Sequence, residues 1–262
     1  MGTLDPFATG VLLCGINKGT RISKFFLNGS KRYKAKVCLG IETDTFDCTG
    51  TIVKQIDISD NISNEKIIKI IRAFKGKQKQ TPPSYSALKH KGKPLYEYAR
   101  KGQLITKPAR DIEIFDISIT KIDFPFVDID VFCSKGTYIR TIAFDIGKKL
   151  GLGAHLAALE RTETCGFSLH DAIELKDIEK MDIPAIEERM IPLAQAISFM
   201  PAYTADKKLE NKIRFGQKLS HEDGLPDKKG FIRVLTENEE LAAIVEYDQK
   251  AGQFNYSCVF LN

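Results

Sequence analysis

A chain of 262 residues, 43% hydrophobic and 28% charged, is long enough to bury a full core and reads as one large domain with a smaller appendage. Its formal charge of +5 is uneven: residues 75–110 hold ten Lys or Arg against one acid, Glu97, leaving that segment at +9 and the remainder at −4. Six scattered cysteines with no Cys-x-x-Cys, no histidines at ligand spacing, no signal pattern and no apolar run of spanning length argue against zinc, disulfide and membrane classes, so a cytoplasmic protein with reduced thiols is expected.

The chain opens on Gly2-Thr3-Leu4-Asp5-Pro6-Phe7-Ala8-Thr9-Gly10-Val11-Leu12. By spacing alone this is a turn or helix start, with Asp5 capping backbone N–H groups and Pro6 fixing φ. Val11 to Ile16 reads as a short buried strand, and Gly19 to Leu27 as a short helix with Ile22, Phe25 and Phe26 on one face. In Lys31 to Ile41 the residues Tyr33, Ala35, Val37, Leu39 and Ile41 alternate with Arg32, Lys34, Lys36 and Cys38, the pattern of a half-buried strand with Tyr33 on the core side. Gly50 to Ile56 is its expected hairpin partner. Asn64 to Phe74 is a helix turning Ile67, Ile68, Ile70, Ile71 and Phe74 inward.

The basic segment 75–110 follows, with Tyr85, His90, Tyr96 and Tyr98 set among its charges; aromatic rings and cations so mixed suit a polynucleotide better than a merely solvated arm. Strands are expected over Ile112 to Ile119 and Phe126 to Cys133, then a helix from about Thr137 to Leu150 with Tyr138 and Arg140 in its first turn. Strands with a minority of helices and no regular alternation predict an α+β fold, a mixed and largely antiparallel sheet with flanking helices. Pro184, Pro192 and Pro201 mark a weakening pattern that makes 191–202 the linker candidate. Beyond it, 203–262 reads as a small β-rich module, with strands Phe231 to Leu235, Leu241 to Tyr247 and Gln253 to Phe260 after a short helix near Lys207.

The opening Gly-Thr-Leu-Asp-Pro-x-Ala-x-Gly-Val-Leu resembles the signature of the bacterial tRNA pseudouridine synthase B family. Four further stretches resemble that family in its order: 31–35 (Lys-Arg-Tyr-Lys-Ala), 81–89 (Thr-Pro-Pro-Ser-Tyr-Ser-Ala-Leu-Lys), 134–141 (Ser-Lys-Gly-Thr-Tyr-Ile-Arg-Thr) and 153–156 (Gly-Ala-His-Leu). Five motifs in one order carry far more weight than any one alone. The resemblance implies the pseudouridine synthase fold over 1–190, a PUA-like RNA-binding domain over 203–262, and isomerisation of uridine 55 in the T-loop of tRNA.

It also implies roles. Asp5 is the nucleophile, Arg140 the cation that holds it by the bidentate pairing a guanidinium offers, and Tyr33 the residue that stacks on the uracil and helps move the C5 proton. Tyr138 and Leu159 line the base pocket. Periodicity alone reads Tyr33 equally well as a core tyrosine, and Tyr138 and Leu159 as ordinary packing. His155 matches a family position but reads better as a structural hydrogen-bonding residue, and Lys89 as a contact to phosphate or to the site wall. A uracil within a folded T-loop must flip out to reach a pocketed carboxylate, and the basic arm would supply the contacts that offset this. No cofactor and no metal are expected, since no phosphate-binding glycine loop stands in the right context and the chemistry involves no net redox change. The expected partner is the T-arm of tRNA, with the protein itself monomeric.

The chain departs from the family at two places. The histidine and threonine that usually precede Gly2, and the segment upstream of them, are absent, which predicts a fragment or a start placed too late. Glu160 stands where a base is usual, which should weaken contact with phosphate. The alternative function is a tRNA-binding or tRNA-folding module that has lost catalysis with its N-terminus. A carboxylate-dependent glycosidase would need a second acid near Asp5, which no motif supplies.

Overall fold

The computed structural model describes residues 2–58, 62–226 and 229–261. They form two compact units, Met1–Cys14 with Lys24–Ala172, and Gly15–Ser23 with Ile173–Asn262. In the first unit the strands are β1 (Thr9–Gly10), β2 (Lys31–Leu39), β3 (Ile41–Thr43), β4 (Ile52–Gln55), β5 (Gly76–Gln80), β6 (Arg110–Asp123), β7 (Phe126–Cys133) and β8 (Ala154–Thr164), with helices α1 (Asn64–Arg72) and α2 (Ile139–Leu150). The main sheet runs β1-β8-β2-β7-β6-β5, and Phe167–Ser168 also pairs with β8. Among the described residues β1–β8 is the one parallel strand pairing of this sheet, so the sheet is mixed and largely antiparallel with helices against it, the α+β class expected.

The alternation read in β2 is the reason for the core. Tyr33, Ala35, Val37 and Leu39 lie on one face with Val127, Ile129 and Val131 of β7 and with Leu156 and Leu159 of β8. Ile67 and Ile71 of α1, and Ile139, Ile142, Ala143 and Ile146 of α2, close over that face. Each Val, Leu or Ile among them contributes about 1.5–3 kcal/mol on full burial. Ser63 caps α1 by accepting from the Lys66 N–H.

The structure departs from the sequence pattern in several places. Val11 to Ile16 is not a strand: the sheet takes only Thr9 and Gly10, Val11 is buried, Leu12 and Ile16 are exposed, and the chain leaves to form a 3-10 helix over Asn17–Ile22 in the second unit. Gly50 to Ile56 does pair in a hairpin, but through Ile41–Thr43, because Gly40 at φ +83° breaks the long strand first. The strand β8 went unread. Bulges between Leu156 and Ala158 and between Arg161 and Glu163 shift its register twice, so its apolar residues never alternate for long.

Gly10 shows how tightly β1 meets β8. At φ +106°, a Cβ there would stand 2.2 Å from the Arg161 carbonyl oxygen and 2.6 Å from its nitrogen, both backbone atoms. Gly10→Ala is therefore expected to lower stability by about 1–3 kcal/mol and to displace the Asp5 turn, read as a fall in melting temperature together with a loss of turnover.

The second unit carries β9 (Ala202–Thr204), α3 (Lys207–Arg214), β10 (Phe231–Leu235), β11 (Leu241–Asp248) and β12 (Gln253–Val259), in the sheet order β9-β10-β11-β12. Asp206 caps α3 through the Leu209 N–H, and Leu209 and Ile213 pack on Ile232, Val234, Ala243 and Val245. The segment 191–202, read as a linker, is structured: Leu193–Ala196 is a helical turn, Ile197 and Met200 are buried, and Arg233 bonds the carbonyls of Ala194 and Met200. Its prolines begin that turn and precede β9 instead of loosening the chain. Among the described residues no helix is long and apolar enough to cross a membrane.

Candidate active site

Asp5 occupies the turn before β1, where the Ala8 N–H donates to its carbonyl at 2.9 Å. Arg140 reaches it from the first turn of α2. Arg140 Nε donates to Asp5 Oδ2 at 2.8 Å and Nη2 to Oδ1 at 2.9 Å, a bidentate pair between residues 135 positions apart. Arg140 is 4% exposed, whereas 30% of the Asp5 side chain remains open to solvent. A carboxylate has about four lone-pair sites, so each oxygen of Asp5 keeps one beyond those given to Arg140. The pair holds the carboxylate without covering it.

The rest of the guanidinium is tied down by the 44–50 loop and by the backbone of Tyr85. Nη1 donates to the Thr45 carbonyl at 3.1 Å and Nη2 to the Tyr85 carbonyl at 2.9 Å. Asp47 Oδ2 lies 3.4 Å from Nη1, and its side chain is 6% exposed. The other oxygen of Asp47 accepts from the Thr45 hydroxyl, the Thr49 N–H and the Thr49 hydroxyl at 2.8, 2.9 and 2.6 Å. The 44–50 loop is itself fixed to β8 by Cys48 N–H to the Leu156 carbonyl and by Leu156 N–H to the Phe46 carbonyl. Phe46, at φ +65°, stacks on Phe144, one helical turn beyond Arg140, with ring centroids 4.2 Å apart. A run of Thr and Asp between two strands was the sole sequence signal for this loop, and it is a weak one.

Tyr138 is the N-cap of α2 and not part of its first turn. It has no side-chain cap; instead buried Gln80, at the end of β5, accepts from its N–H at 2.8 Å and donates to its carbonyl at 3.0 Å. Those two bonds fix where α2, and so Arg140, begins. Arg110 lies over the Tyr138 ring and donates to the Gly136 carbonyl.

Tyr33 is buried on β2, directly opposite Arg161 of β8. Burial pushes its phenol up to about 12, Cys133 and Asp5 push the same way, and the Arg161 guanidinium opposes them. Leu159 is buried among the core residues near Tyr33. The other two candidates stand elsewhere. His155 is buried with Nδ1 2.9 Å from the Ile41 carbonyl, a structural bond, and Lys89 is exposed on a two-stranded hairpin with Lys93–Pro94. Among the described residues neither makes a hydrogen bond or ion pair to Asp5 or Arg140.

The basic segment divides between sheet and arm. Gly76–Gln80 belongs to the sheet, where Lys75 and Lys79 pair with Asp116 and Asp111, while the hairpin and the helix Leu95–Ala99 carry exposed Lys91, Lys93, Arg100 and Lys101. His90 and Tyr98 pack on each other, and the Tyr98 hydroxyl donates to the His90 carbonyl. Tyr96 is left as the exposed ring, with Arg100 over it. Among the described residues no group of three or more His, Cys, Asp or Glu is placed to hold a metal ion.

Residues 1–139 match the family model described as TruB family pseudouridylate synthase, N-terminal domain, and residues 140–198 the model for the tRNA pseudouridylate synthase B C-terminal domain. The chain is 41% identical over 240 residues to a tRNA pseudouridine synthase B of Clostridium tetani, covering 91% of this chain and 82% of that one. It is 38% identical over 262 residues to the protein of the same name from Oceanobacillus iheyensis, covering 99% and 86%. Among solved structures, one from a Cbf5-Nop10-Gar1 complex aligns with a TM-score of 0.68 at 24% identity, over 94% of this chain and 68% of that one, a likeness of fold.

Proposed function

The chain belongs to the TruB family of pseudouridylate synthases, and from that premise we propose that it isomerises uridine 55 in the T-loop of tRNA, with Asp5 as nucleophile on a flipped-out nucleotide. The observation that carries this reading is the bidentate Asp5–Arg140 pair, in which a buried cation aims a carboxylate that stays partly open. In the reaction the C1′–N1 bond breaks, the freed uracil turns, C5 bonds to C1′, the C5 proton leaves and N1 regains one. A carboxylate that adds and departs divides this into easier steps. No metal or cofactor enters it.

Arg140 is the fixed counter-charge, and Asp47, Thr45 and the Tyr85 carbonyl hold it in place. Tyr33, Tyr138 and Leu159 form the wall for the base. A Tyr33 phenol pushed up to about 12 is protonated at neutral pH, which favours a stacking and donating role over that of a standing base. Tyr33→Phe is expected to keep tRNA affinity and lower turnover by on the order of 10²-fold. Between pH 6 and 9 the shape of its rate profile should match the parent's, because the phenol does not titrate there. Lys91, Lys93, Arg100, Lys101 and Tyr96 supply phosphate and stacking contacts to the T-arm, and the β-rich segment 203–262 acts as a PUA-like RNA-binding module. The protein works as a monomer in the cytoplasm.

The proposal is tested by incubating the protein with an unmodified tRNA transcript and mapping pseudouridine along it. The expected product is a single pseudouridine at the T-loop uridine, and a transcript with cytidine there should yield none. Product elsewhere would overturn the assigned position, and tRNA binding with no product would favour the alternative of a folding module.

A further inference from the structure

Arg161 is 1% exposed, the largest fully buried side chain of the described residues. Among those residues it forms no ion pair with a carboxylate; its Nη2 makes no hydrogen bond of ordinary geometry, although the guanidinium lies close enough to the Tyr33 phenol to act on it. A guanidinium kept from water in this way is costly, and ordinarily a carboxylate offsets it. Here its two well-formed bonds go to backbone, beside the Tyr33 phenol. Nε donates to the Val11 carbonyl at 2.7 Å and Nη1 to the Gly2 carbonyl at 2.9 Å. Those two carbonyls bracket the turn that holds Asp5.

The backbone of Arg161 grips the same segment. Its carbonyl accepts from the Val11 N–H at 2.8 Å, and it lies opposite Gly10 in the parallel pairing of β1 with β8. On the other side of β8 it lies opposite Tyr33. One residue thus ties both ends of the Asp5 turn to the strand that faces Tyr33, while Arg140 holds the carboxylate from α2. Arg140 acts on the side chain and Arg161 on the main chain that carries it.

We propose that Arg161 is a positioning residue for Asp5, strapping the turn at Gly2 and Val11 so that the carboxylate keeps a fixed distance from both Arg140 and the base. This rests on the reading of Asp5 as the nucleophile. A displacement of about 1 Å at a reacting atom can cost on the order of 10²-fold in rate. Arg161→Met keeps the length and apolar stem and removes both bonds. Arg161→Lys keeps the charge and a compact ammonium donor in place of the fork.

The experiment measures single-turnover pseudouridine formation, tRNA dissociation constant and melting temperature for the parent protein and both variants. Arg161→Met should lose on the order of 10² in single-turnover rate with tRNA affinity within about two-fold of the parent, and Arg161→Lys should recover about ten-fold of that loss. A parental rate in both variants, or losses that track tRNA affinity alone, would overturn the proposal. Should the methionine variant melt below the assay temperature, the lysine variant decides by the same criterion, a slowed turnover with parental affinity supporting the strap. Failure of the functional reading would look different: the parent itself would form no product, or Asp5→Asn would form it at the parental rate.

Discussion

Asp5→Asn is expected to abolish pseudouridine formation, with a fall on the order of 10⁴-fold or more in single-turnover rate, while tRNA binding stays within about two-fold of the parent. The amide is nearly isosteric with the carboxylate, but it is a poor nucleophile, and its NH₂ would face a guanidinium that offers only donors. One of the two bonds from Arg140, to Oδ1 or to Oδ2, would become a donor-donor contact. Because the Asp5 side chain is partly open, the amide can turn toward solvent, and the effect on melting temperature should be small. Rate measured beside affinity separates an enzyme from a binding module. Parental turnover by the variant would remove Asp5 from the chemistry altogether.

The second large effect is expected at Arg140. Arg140→Lys keeps one positive charge but cannot reproduce a fork that bonds both oxygens of Asp5 together with the carbonyls of Thr45 and Tyr85. A single ammonium cannot sit against Asp47, whose side chain is 6% exposed, and against both oxygens of Asp5 at once, so one of the two carboxylates loses its direct contact. Deleting one partner of a buried ion pair costs about 3–5 kcal/mol; the lysine variant keeps the charge and so falls short of that, with an expected loss on the order of 10²–10³ in turnover and a fall in melting temperature. Asp47→Asn tests the same network from the other end, with a smaller loss expected because its Thr45 and Thr49 bonds can persist. If Arg140→Lys turned over at the parental rate, the bidentate geometry would be irrelevant to the reaction.

The elements legible in the sequence were those whose pattern is local. β2 announces itself because Tyr33, Ala35, Val37 and Leu39 recur every second residue, and β7 because Val127, Ile129, Val131 and Cys133 do the same. α1 and α2 show a helical stripe for the same reason. β8 hides its pattern behind two bulges, and the 191–202 segment hides its order behind prolines. Asp5, Arg140 and Tyr33 are candidates because each lies within a motif, whereas Asp47, Gln80 and Arg161 come into view only through what they touch.

By itself the sequence determined the α+β class and the family, and offered the candidate site residues, since periodicity and motif spacing are properties of neighbouring residues. Only the tertiary structure decided that Arg140 meets Asp5 across 135 positions, that Asp47 and the Tyr85 carbonyl brace that cation, and that a buried Arg161 straps the turn from Gly2 to Val11. The reason is physical. Whether a buried charge is paired, and by what, depends on which distant backbone and side-chain groups the folded sheet brings within 3 Å or so of it.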